Sequence, residues 1–143
     1  MKWHRILGVV FLLYAVTGCI GCANGPVFSP AKLQSSEAVV YIYRPSGSYQ
    51  GSSVGLPVQC DDEKLGYLWS KGYLYKVVPP GKHIVSSSTE QKSEVPFTAK
   101  AGESYFIEAE VEMEFFIGRP KLIMVPSDHG ESAILGMKYL GSA

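Results

Sequence analysis

The chain is short of the residues that usually carry chemistry. It has three cysteines and three histidines in 143 residues. No two histidines stand at metal-ligand spacing and no Cys/His cluster exists, so the pattern predicts neither a metal site nor a cofactor. Nucleophile motifs such as G-x-S-x-G are absent. Neither sign of charge dominates: 13 basic residues offset 13 acidic ones. That balance leaves no basic field for nucleic acid and no polybasic patch for anionic lipid. The apolar run near the N-terminus, Ile6 to Val16, is too short to cross a bilayer, which takes about 20 residues.

What is present begins at that run. Lys2 and Arg5 precede it, and Val16-Thr17-Gly18-Cys19 closes it. A basic n-region, a short apolar h-region and small residues at the cut describe a secretory signal peptide. A cysteine directly after Val-Thr-Gly also resembles the lipobox of bacterial lipoproteins, in which that cysteine is acylated and becomes the mature N-terminus. Residues 1–18 therefore read as a lipoprotein signal peptide. Acyl chains at Cys19 contribute about 0.8 kcal/mol per buried CH₂, and several chains together anchor permanently. Ile20 in place of Asp after the cysteine follows the sorting pattern for the outer membrane, facing the periplasm. Cleavage leaves 125 residues, the 143 less 18, and losing Lys2 and Arg5 moves the formal charge to −2. That length suits one domain.

With Cys19 acylated, Cys22 and Cys60 are an even pair for which an oxidising compartment permits a disulfide. A buried free thiol at Cys60 is the other reading. Residues 19–36 are small and polar, with Pro26 and Pro30, and read as a lipidated, flexible tether. Residues 37–143 read as the folded domain.

Within it the pattern is strands between turns. Ala38–Arg44 is rich in Val and Tyr, as in a central strand. Extended segments follow at Val54–Cys60, Glu63–Leu68, Tyr73–Val78, Lys82–Thr89 and Glu94–Thr98. Pro79-Pro80-Gly81 fits a type II turn with Gly supplying the positive φ. From Tyr105 to Ile117 every odd position is apolar while four even ones are glutamate, which predicts a long strand with one wet face and an internal bend. Gly118-Arg119-Pro120 then turns the chain into Lys121–Val125. Asp128-x-x-Glu131 resembles a capping box and predicts a short helix over His129–Met137. Together these elements predict an all-β fold: an antiparallel β-sandwich of seven to eight strands with a short C-terminal helix.

The run Val40-Tyr41-Ile42-Tyr43-Arg44-Pro45 is followed by Lys64-Leu65-Gly66-Tyr67-Leu68, Gly72-Tyr73 and Pro79-Pro80-Gly81-Lys82-His83. Then come Ala101-Gly102-Glu103-Ser104-Tyr105-Phe106 and Phe115-Phe116-Ile117-Gly118-Arg119-Pro120-Lys121-Leu122. In that order the segments resemble the bacterial lipoprotein family of domain of unknown function 2846, over Ala38 to Leu140. The resemblance implies a prealbumin-like or PEGA-like β-sandwich in the envelope and brings no activity or catalytic residues. Where members commonly show Asp-Gly before Lys64, this chain has Asp61-Asp62-Glu63.

Two other groupings bear on chemistry. Ser86-Ser87-Ser88 near His83 suggests Ser/His catalysis but reads better as a polar edge strand. Glu108, Glu110, Glu112 and Glu114 lie about 7 Å apart along one strand face, too far apart for a calcium cage. They read as a solvated row pairing with Arg119 or Lys121. The candidate contact surface is aromatic: Tyr67, Trp69 and Tyr73 around one turn, with Arg119. The alternative for Tyr67 is a core pair with Tyr75 across neighbouring strands. The leading expectation is thus a noncatalytic module, anchored at Cys19 in the bacterial envelope, that binds a protein or cell-wall glycan and no nucleic acid. The rival is a hydrolase or transferase with a site built from loops such as Pro45–Ser53 and the Arg119 turn.

Overall fold

The computed structural model describes residues 25–46 and 53–141. Cys19, Cys22 and the signal segment lie outside them, as does most of the Pro45–Ser53 loop. The elements are β1 (Ala38–Arg44), β2 (Leu56–Cys60), β3 (Glu63–Leu68), β4 (Gly72–Val78), β5 (Gly81–Ser88) and β6 (Lys92–Ala99). They continue with β7 (Ser104–Glu114), β8 (Ile117–Val125), α1 (Ser127–Ile134) and β9 (Lys138–Tyr139).

Two sheets stack. The first has the order β8-β7-β1-β4-β9 and the second β3-β2-β5-β6. The fold is mostly β with one short helix, as expected, but it has nine strands instead of seven to eight. It is also not purely antiparallel: β1 pairs with β7, and β4 with β9, in parallel. The short segment Trp69–Lys71 carries the chain from β3 in the second sheet to β4 in the first. Tyr67 and Tyr75 therefore lie in different sheets. Tyr75 instead faces Tyr41 across β1 and β4.

Every residue of β1 is buried, because the first sheet is covered on both faces. On its inner face Val40, Ile42, Leu74 and Ile107 meet Leu56, Val58, Leu68 and Val85 of the second sheet. Its outer face is aromatic: Tyr41, Tyr43, Tyr73 and Phe106 pack beneath α1 and the N-terminal arm. Gly130 makes that contact possible. A Cβ there would lie 2.3 Å from the Phe106 side chain, so the residue that weakens helix propensity also admits β7. The helix begins two residues before the expected His129 and ends at Ile134, with Pro126 at its N-cap and no side-chain cap. Asp128 falls in the first turn, so the capping box does not form.

The expected tether is docked from Gly25 onward. Tyr139 N–H donates to the Pro26 carbonyl and Phe28 N–H to that of Met137, while Val27 bridges Lys138. The Phe28 ring meets Tyr41 and Tyr73 edge-on, each at 5.3 Å, and Ala31 N–H donates to the Tyr41 hydroxyl at 2.8 Å. An aromatic sheet face buries more area when an arm covers it, and the tyrosine hydroxyls satisfy the arm's backbone.

The alternating segment 105–117 ends as a strand at Glu114, not Ile117. Phe115 and Phe116 form a two-residue hairpin loop, both with positive φ. At the expected type II turn Gly81 has φ +130°, the sign predicted.

Candidate functional site

The C-terminal end of β1 gathers most of the candidate contact residues. Arg44 closes the inner core there, 2% exposed, with its Nη1 donating to the carbonyls of Val54 and Leu68. Burial lowers its pKa from the ordinary value. A buried guanidinium held by backbone carbonyls fixes the strand β2 entrance against the end of β3. Above it the Trp69 indole lies on Gly55, where a Cβ would sit 2.7 Å from Cζ2. Val54 in turn contacts the position of a Cβ at Gly118, next to Arg119. The fold thus brings Trp69, the 53–55 segment and the Arg119 strand to one end of the sandwich.

Tyr67 stands on the same end, 62% exposed on edge strand β3. Tyr73 does not join them. It is 4% exposed in the outer aromatic cluster, stacked on Tyr75 and packed against Phe28 and Tyr139. It is therefore not part of the contact surface expected of it, because the crossover at Trp69–Lys71 puts the two flanking strands in different sheets.

Arg119 is engaged by Glu114, and Lys121 by Glu112 at 2.9 Å and Glu110 at 3.9 Å. The glutamate row thus pairs with the returning strand as expected. Glu108 departs from it: it is partly covered, accepts a hydrogen bond from the Tyr43 hydroxyl at 2.8 Å, and lies 3.5 Å from His129 Nε2. Burial and the neighbouring carboxylate raise the Tyr43 pKa, so the phenol stays a donor.

The opposite end of the inner core holds His83. Its Nδ1 is 2.8 Å from Asp61 Oδ2 and its Nε2 is 2.7 Å from the Pro79 carbonyl. Both neighbours are acceptors, so satisfying both nitrogens requires the imidazolium. Burial alone would lower the pKa of His83, but the hydrogen bonds to Asp61 and Pro79 outweigh it and the value is raised. Asp61, whose φ is +46°, also accepts from Ile84 N–H at 2.9 Å. Its pKa is lowered, since these bonds overcome its own desolvation. Asp61 thus takes the positive φ at the first residue of the β2–β3 turn, with its carboxylate held by His83 and Ile84 N–H.

A recess of about 360 Å³ beside this pair is lined by Lys82, His83, Ile84, Pro96, Phe97 and Thr98. A histidine–carboxylate pair at a recess resembles a general-base dyad. Here Nε2, the nitrogen that would take a proton, is already held by a carbonyl. Ser87 is buried, while Ser86 and Ser88 line a separate recess of about 110 Å³ with Pro57, Gln59 and Lys92. Cys60 is a buried thiol whose pKa desolvation and Asp61 push up to about 11, leaving it protonated and unreactive at neutral pH. Its suggested partner Cys22 lies outside the described residues. Among the described residues no group of three or more His, Cys, Asp or Glu gathers to hold a metal, and no helix is long and apolar enough to cross a membrane.

A family model matches residues 34–120, well over half of the chain. The chain belongs to the family described as protein of unknown function (DUF2846). This match begins just before β1 and ends within β8, so it covers the second sheet and most of the first, without β9 or α1. A protein of Haemophilus influenzae, described as uncharacterized, is 27% identical over 139 residues, covering 90% of this DUF2846 chain and 78% of its own length. No solved structure matches.

Sequence reasoning missed the His83–Asp61 clamp and the Phe115–Phe116 loop of this DUF2846 member. The first joins residues 22 apart across two turns, which no local pattern reveals. The second was masked by alternation that continues straight through the turn.

Proposed function

We propose that the protein is an envelope lipoprotein, acylated at Cys19 and held at the outer membrane facing the periplasm. Its β domain acts as a noncatalytic module for a protein partner or a cell-wall glycan. The contact surface in this reading is Tyr67 and Trp69, with the Arg119 strand beside them. The observation that carries it is how the polar groups are used. Arg44, His83, Asp61 and Tyr43 each hold the fold together, and none converges with a nucleophile on an open recess. Tyr67 by contrast presents a large ring to solvent, two residues before the Trp69 that lies on Gly55.

Photo-crosslinking from position 67 in intact cells tests this module. A discrete crosslinked product that Trp69→Ala removes supports it, and an unchanged pattern refutes it. Feeding a fatty-acid probe tests the anchor separately. Label should enter the parent chain and be lost in Cys19→Ala.

The enzyme reading has one observation in its favour, the recess bordered by His83. A hydrolase built there would lose its activity on envelope extracts in His83→Gln. A binding module would keep its partner in that variant.

A further inference from the structure

Phe115 and Phe116 alone join β7 to β8. Their φ values are +46° and +72°, the signs of a type I′ turn, where Asn-Gly is favoured because both central residues need positive φ. Bulky L-residues adopt that region only under strain. Burial does not offset it: the two residues are 88% and 100% exposed. Neither turn geometry nor packing within the chain accounts for phenylalanine at either position. Neighbouring Ile117 is also exposed, so the loop forms an apolar tip. Directly behind it Glu114 pairs with Arg119 and Glu112 with Lys121, which cancels the charge of the shaft near its end.

The place of this tip relative to the N-terminus follows from strand register. Glu108 pairs with Tyr43, Tyr43 with Tyr73, Tyr73 with Tyr139, and Tyr139 N–H bonds the Pro26 carbonyl. These residues form one row across the first sheet. From that row β7 continues through Glu114 to Phe115, a rise of about 23 Å at 3.3 Å per residue. Cys19 precedes Pro26 by seven residues, which reach at most about 25 Å when fully extended. A lipid at Cys19 therefore holds the domain within a distance of the membrane that its own hairpin can bridge.

We infer that the Phe115–Phe116 tip enters the interface of the bilayer that holds the anchor, giving the domain a second contact that sets its orientation. The inference rests on the proposed acylation of Cys19. Aromatic rings at a membrane surface shed water while the backbone beneath stays among the headgroups. A tip with cancelled charge and no basic cluster fits zwitterionic phospholipid, not an anionic surface.

The experiment uses the full chain purified from bacterial membranes and placed on phosphatidylcholine vesicles with brominated acyl chains. In Phe116→Trp the new indole should be quenched, and its emission shifted to the blue, relative to the parent with Trp69 in place. The paired variant Phe115→Asn with Phe116→Gly supplies the residues the turn prefers, so it should fold at least as stably. It should also expose Lys121 and the shaft to added protease about tenfold faster on vesicles, and no faster without them. An unquenched indole on vesicle-bound protein overturns the inference. If the paired variant then lowers the sedimentation coefficient, the tip is a contact between copies of the chain instead. The mass of the N-terminal peptide reports the anchor separately. Without acyl mass the anchor reading fails, and quenching at position 116 still decides the tip.

Discussion

Tyr41 and Ile42 are neighbours on β1, both buried, and they face two different interiors. Ile42 points between the sheets into an aliphatic layer with Val40, Leu74 and Ile107. Tyr41 points away from the second sheet into an aromatic layer roofed by α1 and the arm. Its ring stacks on Phe106 at 5.2 Å and meets Phe28 edge-on at 5.3 Å. The aliphatic layer joins two rigid sheets about 10 Å apart, where close-packed branched side chains leave little room to relax. The aromatic layer joins a sheet to a short helix and an irregular strap, so its side chains must also satisfy loose backbone. Tyrosine does both, and Ala31 N–H on the Tyr41 hydroxyl is an instance. One layer joins the two sheets, while the other attaches the helix and the arm.

The sharpest break of that comparison is Ile42→Ala. Truncation between two sheets leaves a cavity, and a loss of about 2–5 kcal/mol is expected. Chemical denaturation of the purified protein measures it. A loss below about 1 kcal/mol would mean that the sheets close over the gap, so the inner layer is not the rigid one.

How much of this was legible in the sequence follows the same division. The bounds of β1 and β3 are legible to the residue, since Val- and Tyr-rich segments between Pro, Gly and Asp are bounded by local chemistry. Alternation also identified which face of β7 carries the glutamates. What alternation does not encode is which strand lies alongside. The parallel pairing of β1 with β7 joins residues 65 apart, Tyr43 and Glu108, and no turn signals it. The move from sheet to sheet at Trp69–Lys71 resembles an ordinary hairpin turn in sequence, and it misplaced Tyr73. The arm reads as tether because small residues and prolines suit either state. Only the tyrosine face it covers distinguishes them, and that face is assembled from four distant strands. Of the candidate site, Tyr67 and Trp69 were legible as large aromatics beside a turn, whereas the carbonyl cage of Arg44 was not.

A smaller effect should come from the end of the aliphatic layer. His83 is better bound as a cation in the folded state than in the unfolded chain. Its contribution is therefore complete below the ordinary histidine pKa, near 6.5, and declines as pH rises through the higher folded value. Asp61 has the opposite dependence: its lowered pKa makes its contribution present above the ordinary carboxylate value and lost as pH falls through the folded one. Stability should thus peak in the mildly acidic range between these two losses. His83→Gln should cost about 1–2 kcal/mol at pH 5.5 and less at pH 9, because only the charged hydrogen bonds are removed. An equal cost at both pH values would place a neutral imidazole in the clamp.

The smallest change belongs to the aromatic layer, and Tyr41→Phe isolates it. The ring and its stacking remain, and only the hydroxyl that accepts from Ala31 N–H is deleted. Global stability should fall by about 0.5–1.5 kcal/mol. The more telling readout is local. Amide exchange at Ala31 should accelerate at least tenfold, while that of Ile42 accelerates only as far as the fall in global stability requires. The hydrogen bonds of Phe28 and Tyr139 nearer the start of the arm should persist, because they are made to backbone. Were exchange at Ala31 and Ile42 to rise in step, strap and sandwich would open as one unit, and the two layers would not be separable.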